Sequence, residues 1–133
     1  MSVYLGDVEP LTSTRGVDVG AAEVNGKGYA RSVTLWVNQA GPFSELEYNL
    51  GRDWKSFKAT VGLRDDSPSG GNVTFEVAVD GRTVYTKTVA LGQTQEVNVD
   101  AQDALRLKLT VTYSGEDATS DYYGTWGDAR LEH

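Results

Sequence analysis

Two groups of side chains in this sequence could do chemistry: acids that occur in pairs or threes, and aromatic rings set among small polar residues. Asp65-Asp66 is the closest acid pair. An enzyme acting on glycosidic bonds needs two carboxyl groups flanking the scissile bond. Neighbours at a strand end diverge, however, and Ser67-Pro68-Ser69-Gly70-Gly71 follows as an open turn. The pair therefore reads as a solvated turn, and glycan cleavage ranks last among the functions weighed. Asp117, Asp121 and Asp128 form a second acidic group, while Asp7 and Asp18 lie in a glycine-punctuated N-terminal stretch. Oxygen-rich loops of this kind hold calcium, and Asp7, Asp18 and Asp128 are the candidate ligands, although none has EF-hand spacing.

The rings say more. Tyr122, Tyr123 and Trp126 crowd into a segment rich in Gly, Ser and Asp. Sugars offer apolar C–H faces edged by hydroxyls, so a flat ring beside carboxylates or guanidinium groups is what their sites require. Asp121, Tyr122, Tyr123 and Trp126 meet that requirement locally, with Asp65, Asp66 and Arg64 available to take hydroxyls. Trp126 reads equally well as a core residue. Of Tyr122 and Tyr123, one ring should be exposed, because neighbours on a strand face opposite ways. Trp36 falls out of phase with Val33, Leu35 and Val37, so it either meets a ligand or lies under a covered face. Arg31 is a further candidate.

Other chemistries are excluded. There is no cysteine, and the one histidine is His133. The ending Leu131-Glu132-His133 reads as the opening of an expression tag, which sets Glu132 and His133 aside and leaves no imidazole for a Ser-His or Cys-His pair. Gly26-Lys27-Gly28 lacks the strand and helix of a phosphate loop, so its glycines serve turns. A net charge of −7 repels nucleic acid and anionic lipid. No apolar run approaches a membrane span. Met1-Ser2-Val3-Tyr4 shows no signal peptide, so an exported protein would carry this stretch as an excised piece.

The elements that must position these groups are strands. Leu46, Tyr48 and Leu50 alternate with Glu45, Glu47 and Asn49; Phe57, Ala59, Val61 and Leu63 with Ser56, Lys58 and Thr60. Val73 to Val79 continues the period and meets Asp80-Gly81, a hairpin turn, with a return strand from Arg82 to Ala90. Val97 and Val99 mark another strand, and Leu105 to Tyr113 the clearest, with a polar Arg/Lys/Thr face. Before Arg31 the pattern is irregular: a short strand near Val3 to Leu5, then loops broken by Gly16, Gly20, Gly26 and Gly28. The chain of 133 residues reads as one all-β domain, an antiparallel sandwich or jelly roll over residues 1–131.

Four phrases in order, YLGDVEP at Tyr4 to Pro10, LEYNLGRDWKSFKATVGLRDD at Leu46 to Asp66, VTFEVAVDGRTVY at Val73 to Tyr85 and TWGDARL at Thr125 to Leu131, resemble the NPCBM domains. These are related to the family-51 carbohydrate-binding modules appended to bacterial exported proteins. The resemblance spans nearly the whole chain. It implies a galactose-binding-domain-like sandwich, often with bound calcium, whose partner is a glycan, with terminal sugars such as galactose in characterised members; the chain is expected to be a non-catalytic, extracytoplasmic, monomeric module. Two places depart from the pattern: YARSVTLWVNQAGPFSE lacks the histidine phrase common there, and Asp121 is followed by Tyr122-Tyr123-Gly124-Thr125 without a histidine. The scaffold carries over; a galactose specificity does not. The expected site is the sandwich end bearing Arg64, Asp65, Asp66 and Asp121 to Trp126, with Arg31 or Trp36. The alternative is a protein-binding ectodomain that has kept the sandwich and lost the sugar.

Overall fold

The structure, a computed structural model, describes residues 2–13, 17–116 and 119–133; Asp117 lies outside them. After β1 (Ser2–Tyr4) and a 3-10 turn (Leu5–Asp7) come β2 (Thr12–Ser13), β3 (Val17–Val24), β4 (Lys27–Val37), β5 (Phe43–Asn49) and β6 (Ser56–Leu63). Then follow β7 (Asn72–Val79), β8 (Arg82–Ala90), β9 (Thr94–Asp100), β10 (Arg106–Ser114) and β11 (Tyr122–Glu132). All strand pairings among the described residues are antiparallel. One sheet runs β3-β4-β11-β6-β9, with β1 also on β11, and the other runs β2-β5-β10-β7-β8. The result is the expected antiparallel jelly-roll sandwich.

Period-two alternation builds the core because every second side chain points between the sheets. Leu107, Leu109, Val111 and Tyr113 of β10 are buried, while Arg106, Lys108, Thr110 and Thr112 are half-exposed. The turn at Asp80-Gly81 adopts positive φ at both residues, 50° and 82°, as a two-residue hairpin loop demands. The Asp80 carboxylate then reaches across to accept the N–H groups of Leu105 and Arg106.

Two segments differ from the sequence reading. The stretch before Arg31, expected to be loops, forms a long β3–β4 hairpin whose turn is Asn25-Gly26, again with positive φ at both positions, 51° and 77°. β3 is an edge strand with only Ala22 and Val24 buried, so it shows no apolar alternation. The Asn-Gly dipeptide was the signal that could have found it. A register shift between Gly20 and Ala22 bends the hairpin, and its tip reaches as far as Val24 bridging Arg64 beyond β6.

The second segment is Asp121 to Trp126, which the sequence reading sets at a sandwich end without assigning it to a named strand. From Tyr122 onward it is instead β11, paired with both β4 and β6. Its glycines permit close approach: a Cβ on Gly124 would sit 2.6 Å from Val111 Cγ1, and one on Gly127 would sit 2.8 Å from the Tyr29 ring. Glu132 belongs to this strand, opposite Ser2 and Ser56 and paired with Lys58 and Arg130.

Candidate ligand site beside Arg64

Because β11 is central, its residues divide by parity. Tyr122 and Trp126 point into the core and are 0% exposed. Tyr122 stacks on Tyr113 with centroids 4.7 Å apart, and Trp126 lies between Phe57 and Phe75. Neither ring can meet a ligand, which corrects the expectation for both. Tyr123 has the opposite phase and pairs in register with Trp36 of β4. Their rings meet edge to face at 6.3 Å, and Trp36 keeps 39% of its surface exposed.

Arg64 completes the group. It is the first residue after β6, and its N–H donates to the Tyr123 carbonyl at 2.9 Å. Ser67, at the end of the same turn, accepts the Tyr123 N–H on its Oγ. These bonds set the Arg64 guanidinium 4.4 Å from the Tyr123 ring centroid, within cation–π range. Nε and Nη2 donate to the two oxygens of Asp66 at 2.7 and 3.1 Å, and Nη1 donates to Asp18 Oδ2 at 3.0 Å. Hydrogen bonding to Arg64 holds the Asp66 carboxyl below its ordinary range. Both acids remain mostly exposed, at 58% and 60% of the side chain, so their remaining lone pairs can accept from hydroxyls.

Asp65 diverges from Asp66, as the strand-end geometry predicts, but toward the backbone. Its carboxylate accepts the N–H groups of Asn25 and Gly26 at 2.6 and 2.9 Å, and its own N–H donates to Glu23. Asp65 thus pins the hairpin tip, and this spends both of its oxygens. Asp65→Ala should cost up to about 1.5–3 kcal/mol, the range for hydrogen bonds to a charged group, and should speed hydrogen exchange at the Asn25 and Gly26 amides; exchange identical to wild type would refute this role. Between the pinned hairpin and the turn lies a cavity of about 840 Å³, walled by residues 21–23 and 28–30 and by Arg64, Asp65 and Asp66. The hairpin wall, with Ala22 and Tyr29, is invisible to a reading that takes this stretch as loops.

The other candidates divide between the two ends of the sheet. The Asp121 carboxylate accepts from Asn38 Nδ2 at 2.8 Å, which places it at the Trp36 end of the sheet. Arg31 lies five residues before Trp36 on β4, about 16 Å along the strand. It pairs with Asp7 at 3.3 Å and lies over Tyr4, so it does not join the group. Nor do Asp7, Asp18 and Asp128 form one carboxylate cage. Asp18 is held by Arg64, Asp7 by Arg31, and Asp128, in a positive-φ bulge of β11, accepts the Arg31 N–H. Among the described residues no three acids or histidines converge. Guanidinium partners already pair with two of these acids, Asp7 and Asp18.

Comparison with known proteins decides the family. The NPCBM/NEW2 domain model matches residues 2–132. This chain belongs to the NPCBM/NEW2 domain family. Its fold superposes on a CBM51 from Clostridium perfringens GH95 in complex with methyl-galactose, with a TM-score of 0.80 at 23% identity, over 98% of this chain and 99% of that one. A structure of the M60 catalytic domain with CBM51-1 and CBM51-2 from Clostridium perfringens ZmpB matches at TM-score 0.78 and 27% identity, over 98% of this chain and 15% of that chain. In sequence, 90 residues are 28% identical to a Renibacterium salmoninarum protein named "Putative endo-alpha-N-acetylgalactosaminidase"; the aligned stretch is 66% of this chain and 6% of that protein. This chain thus spans only a small part of the length of the Renibacterium salmoninarum protein and of the ZmpB chain. It is a non-catalytic binding module; in the ZmpB structure the catalytic domain is a separate one.

Proposed function

We propose that this NPCBM/NEW2 domain binds one neutral hexose or N-acetylhexosamine unit of an extracytoplasmic glycan at the Trp36–Tyr123–Arg64 edge and the adjoining cavity. One observation carries the reading: an exposed tryptophan rests on a tyrosine that is itself capped by a guanidinium held between two solvent-facing carboxylates. The ring offers an apolar platform, and Asp18 and Asp66 accept hydroxyl hydrogens. Arg64, its charge balanced by both acids, donates without attracting anions. Methyl-galactose and GlcNAc, the sugars bound by similar modules of Clostridium perfringens, belong to this class. With Glu23, Asp65 and Asp66 on the cavity wall or rim, uronic and sialic acids are disfavoured.

Such open sites bind with millimolar to micromolar affinity, roughly 4 to 8 kcal/mol. Titration calorimetry with methyl galactoside, N-acetylglucosamine and N-acetylgalactosamine tests the reading. Heat from at least one of them supports it; silence from all three, or equal binding by a uronic acid, defeats it. Acid dependence gives a second check. Because pairing with Arg64 lowers the Asp66 pKa in the folded state, the pair is fully formed above the ordinary aspartate value of about 3.9 and is lost as pH falls through the lower folded value. Affinity should therefore stay level from neutral pH down to about 5 and decline only well below it. A loss already complete at about pH 6 would point to some other group.

A further inference from the structure

A second concavity, of about 450 Å³, opens where β8 and β9, the edge strands of the two sheets, face each other. It lies at the far end of the sandwich. β6 pairs with β9 so that Asp100 is opposite Ser56, eight residues from Arg64 and hence about 25 Å away along the strand. Val84, 39% exposed, and Tyr85 supply an apolar wall. Arg82, Asn98, Asp100 and Gln102 stand around it.

What distinguishes this rim is its unused hydrogen-bonding capacity. Arg64 has its guanidinium engaged by two acids, whereas the Arg82 guanidinium and the Asn98 and Gln102 amide groups have no side-chain partner among the described residues. Asp100 uses Oδ1 to accept the Gln102 N–H at 2.9 Å and keeps Oδ2 open. Asp80 also lines the cleft, but its carboxylate is spent on the N–H groups of Leu105 and Arg106. The lining thus carries one guanidinium and two carboxylates, of which Asp100 keeps an oxygen open, so the cleft disfavours anionic ligands. Unpaired donors and acceptors beside an apolar wall in a concavity are the features of a small-ligand site.

We infer that the β8–β9 cleft is a second saccharide site, in which Val84 and Tyr85 face the apolar side of an uncharged sugar while Arg82, Asn98, Asp100 and Gln102 take its hydroxyls. The ligand class rests on the function proposed above; the cleft and its unspent polar groups do not. Burial, and secondarily the charge of Glu96, raises the Tyr85 hydroxyl above its ordinary pKa, so that side chain stays neutral. Sites at the two ends would let one domain engage two branches of a glycan, and the second contact would form at the effective concentration set by the first.

Nitrogen-labelled protein titrated with methyl galactoside and N-acetylglucosamine to tens of millimolar, the weak end of such affinities, reads each end separately by amide shifts. The expected result is saturable shifts at Arg82, Asn98 and Gln102 that persist in Trp36→Ala. They should vanish in an Arg82→Ala/Asn98→Ala double variant whose shifts around Trp36 and Tyr123 match wild type. Shifts confined to the Trp36 end overturn the second site and leave the first standing. Shifts confined to the cleft overturn the first and support the second, and none at either end overturns both.

Discussion

Trp126→Ala should cost about 3–5 kcal/mol of unfolding free energy, the range for emptying a core position of a large aromatic ring, and denaturant unfolding measures it directly. The indole is 0% exposed and lies 5.2 Å from Phe75 and 6.1 Å from Phe57 by ring centroids. Its neighbours hang on two paired sheets, so they cannot collapse far into the space left behind. Trp126→Phe should cost much less than Trp126→Ala. The indole Nε1–H has no acceptor among the described residues, and phenylalanine removes that buried donor while keeping most of the apolar volume. An alanine variant within about 0.5 kcal/mol of wild type, the spread of ordinary surface changes, would mean that Trp126 is not in the core.

Trp36→Ala should give the opposite pattern. The ring projects from the outer face of its sheet and touches Tyr123 by an edge contact worth about 0.5–1.5 kcal/mol, so stability should fall only by that amount. Sugar affinity should fall at least about tenfold, or 1.4 kcal/mol, because the platform for the C–H face is gone. Trp36→Phe should recover part of the affinity. Calorimetry on the folded variants decides the matter: undiminished binding in Trp36→Ala removes the site from this edge, whatever else binds the sugar. The two tryptophans thus separate by assay, one in unfolding and the other in titration, although the same residue type occupies a strand in both cases.

Period-two alternation is local chemistry, and so the strands Leu46 to Leu50, Phe57 to Leu63, Val73 to Val79, Arg82 to Ala90 and Leu105 to Tyr113 were legible before any coordinates, as were the Asp80-Gly81 turn and the outward phase of Trp36. Composition is enough to exclude Ser-His and Cys-His pairs, and at Gly26-Lys27-Gly28 the glycines serve a turn, as the sequence reading has it, although a strand, β3, does precede them. What alternation cannot convey is which strand lies beside which. Asp121 to Trp126 looks like a loop because it is rich in glycine and polar residues, yet Gly124 and Gly127 are small so that Val111 and Tyr29 can press against a strand in the middle of its sheet. Centrality then buries Tyr122 and Trp126 and leaves Tyr123 as the one outward ring of the three.

The same limit applies to the acids and bases. Local sequence suggests a metal ligand in Asp18 and a sugar contact in Asp65, but Asp18 is 46 residues from Arg64 and Asp65 is 40 from Asn25. Only the folding of the β3–β4 hairpin across its sheet brings Asp18 to the guanidinium and the turn to Asp65. Local sequence is enough to set most strand faces, the Asp80-Gly81 turn with left-handed backbone and the class of sandwich, and to exclude Ser-His and Cys-His pairs. Tertiary structure alone decided which rings meet solvent and which charges neutralise one another. Those properties depend on pairing between strands far apart in the chain, and a residue's own neighbours in sequence hold no record of its partner across the sheet.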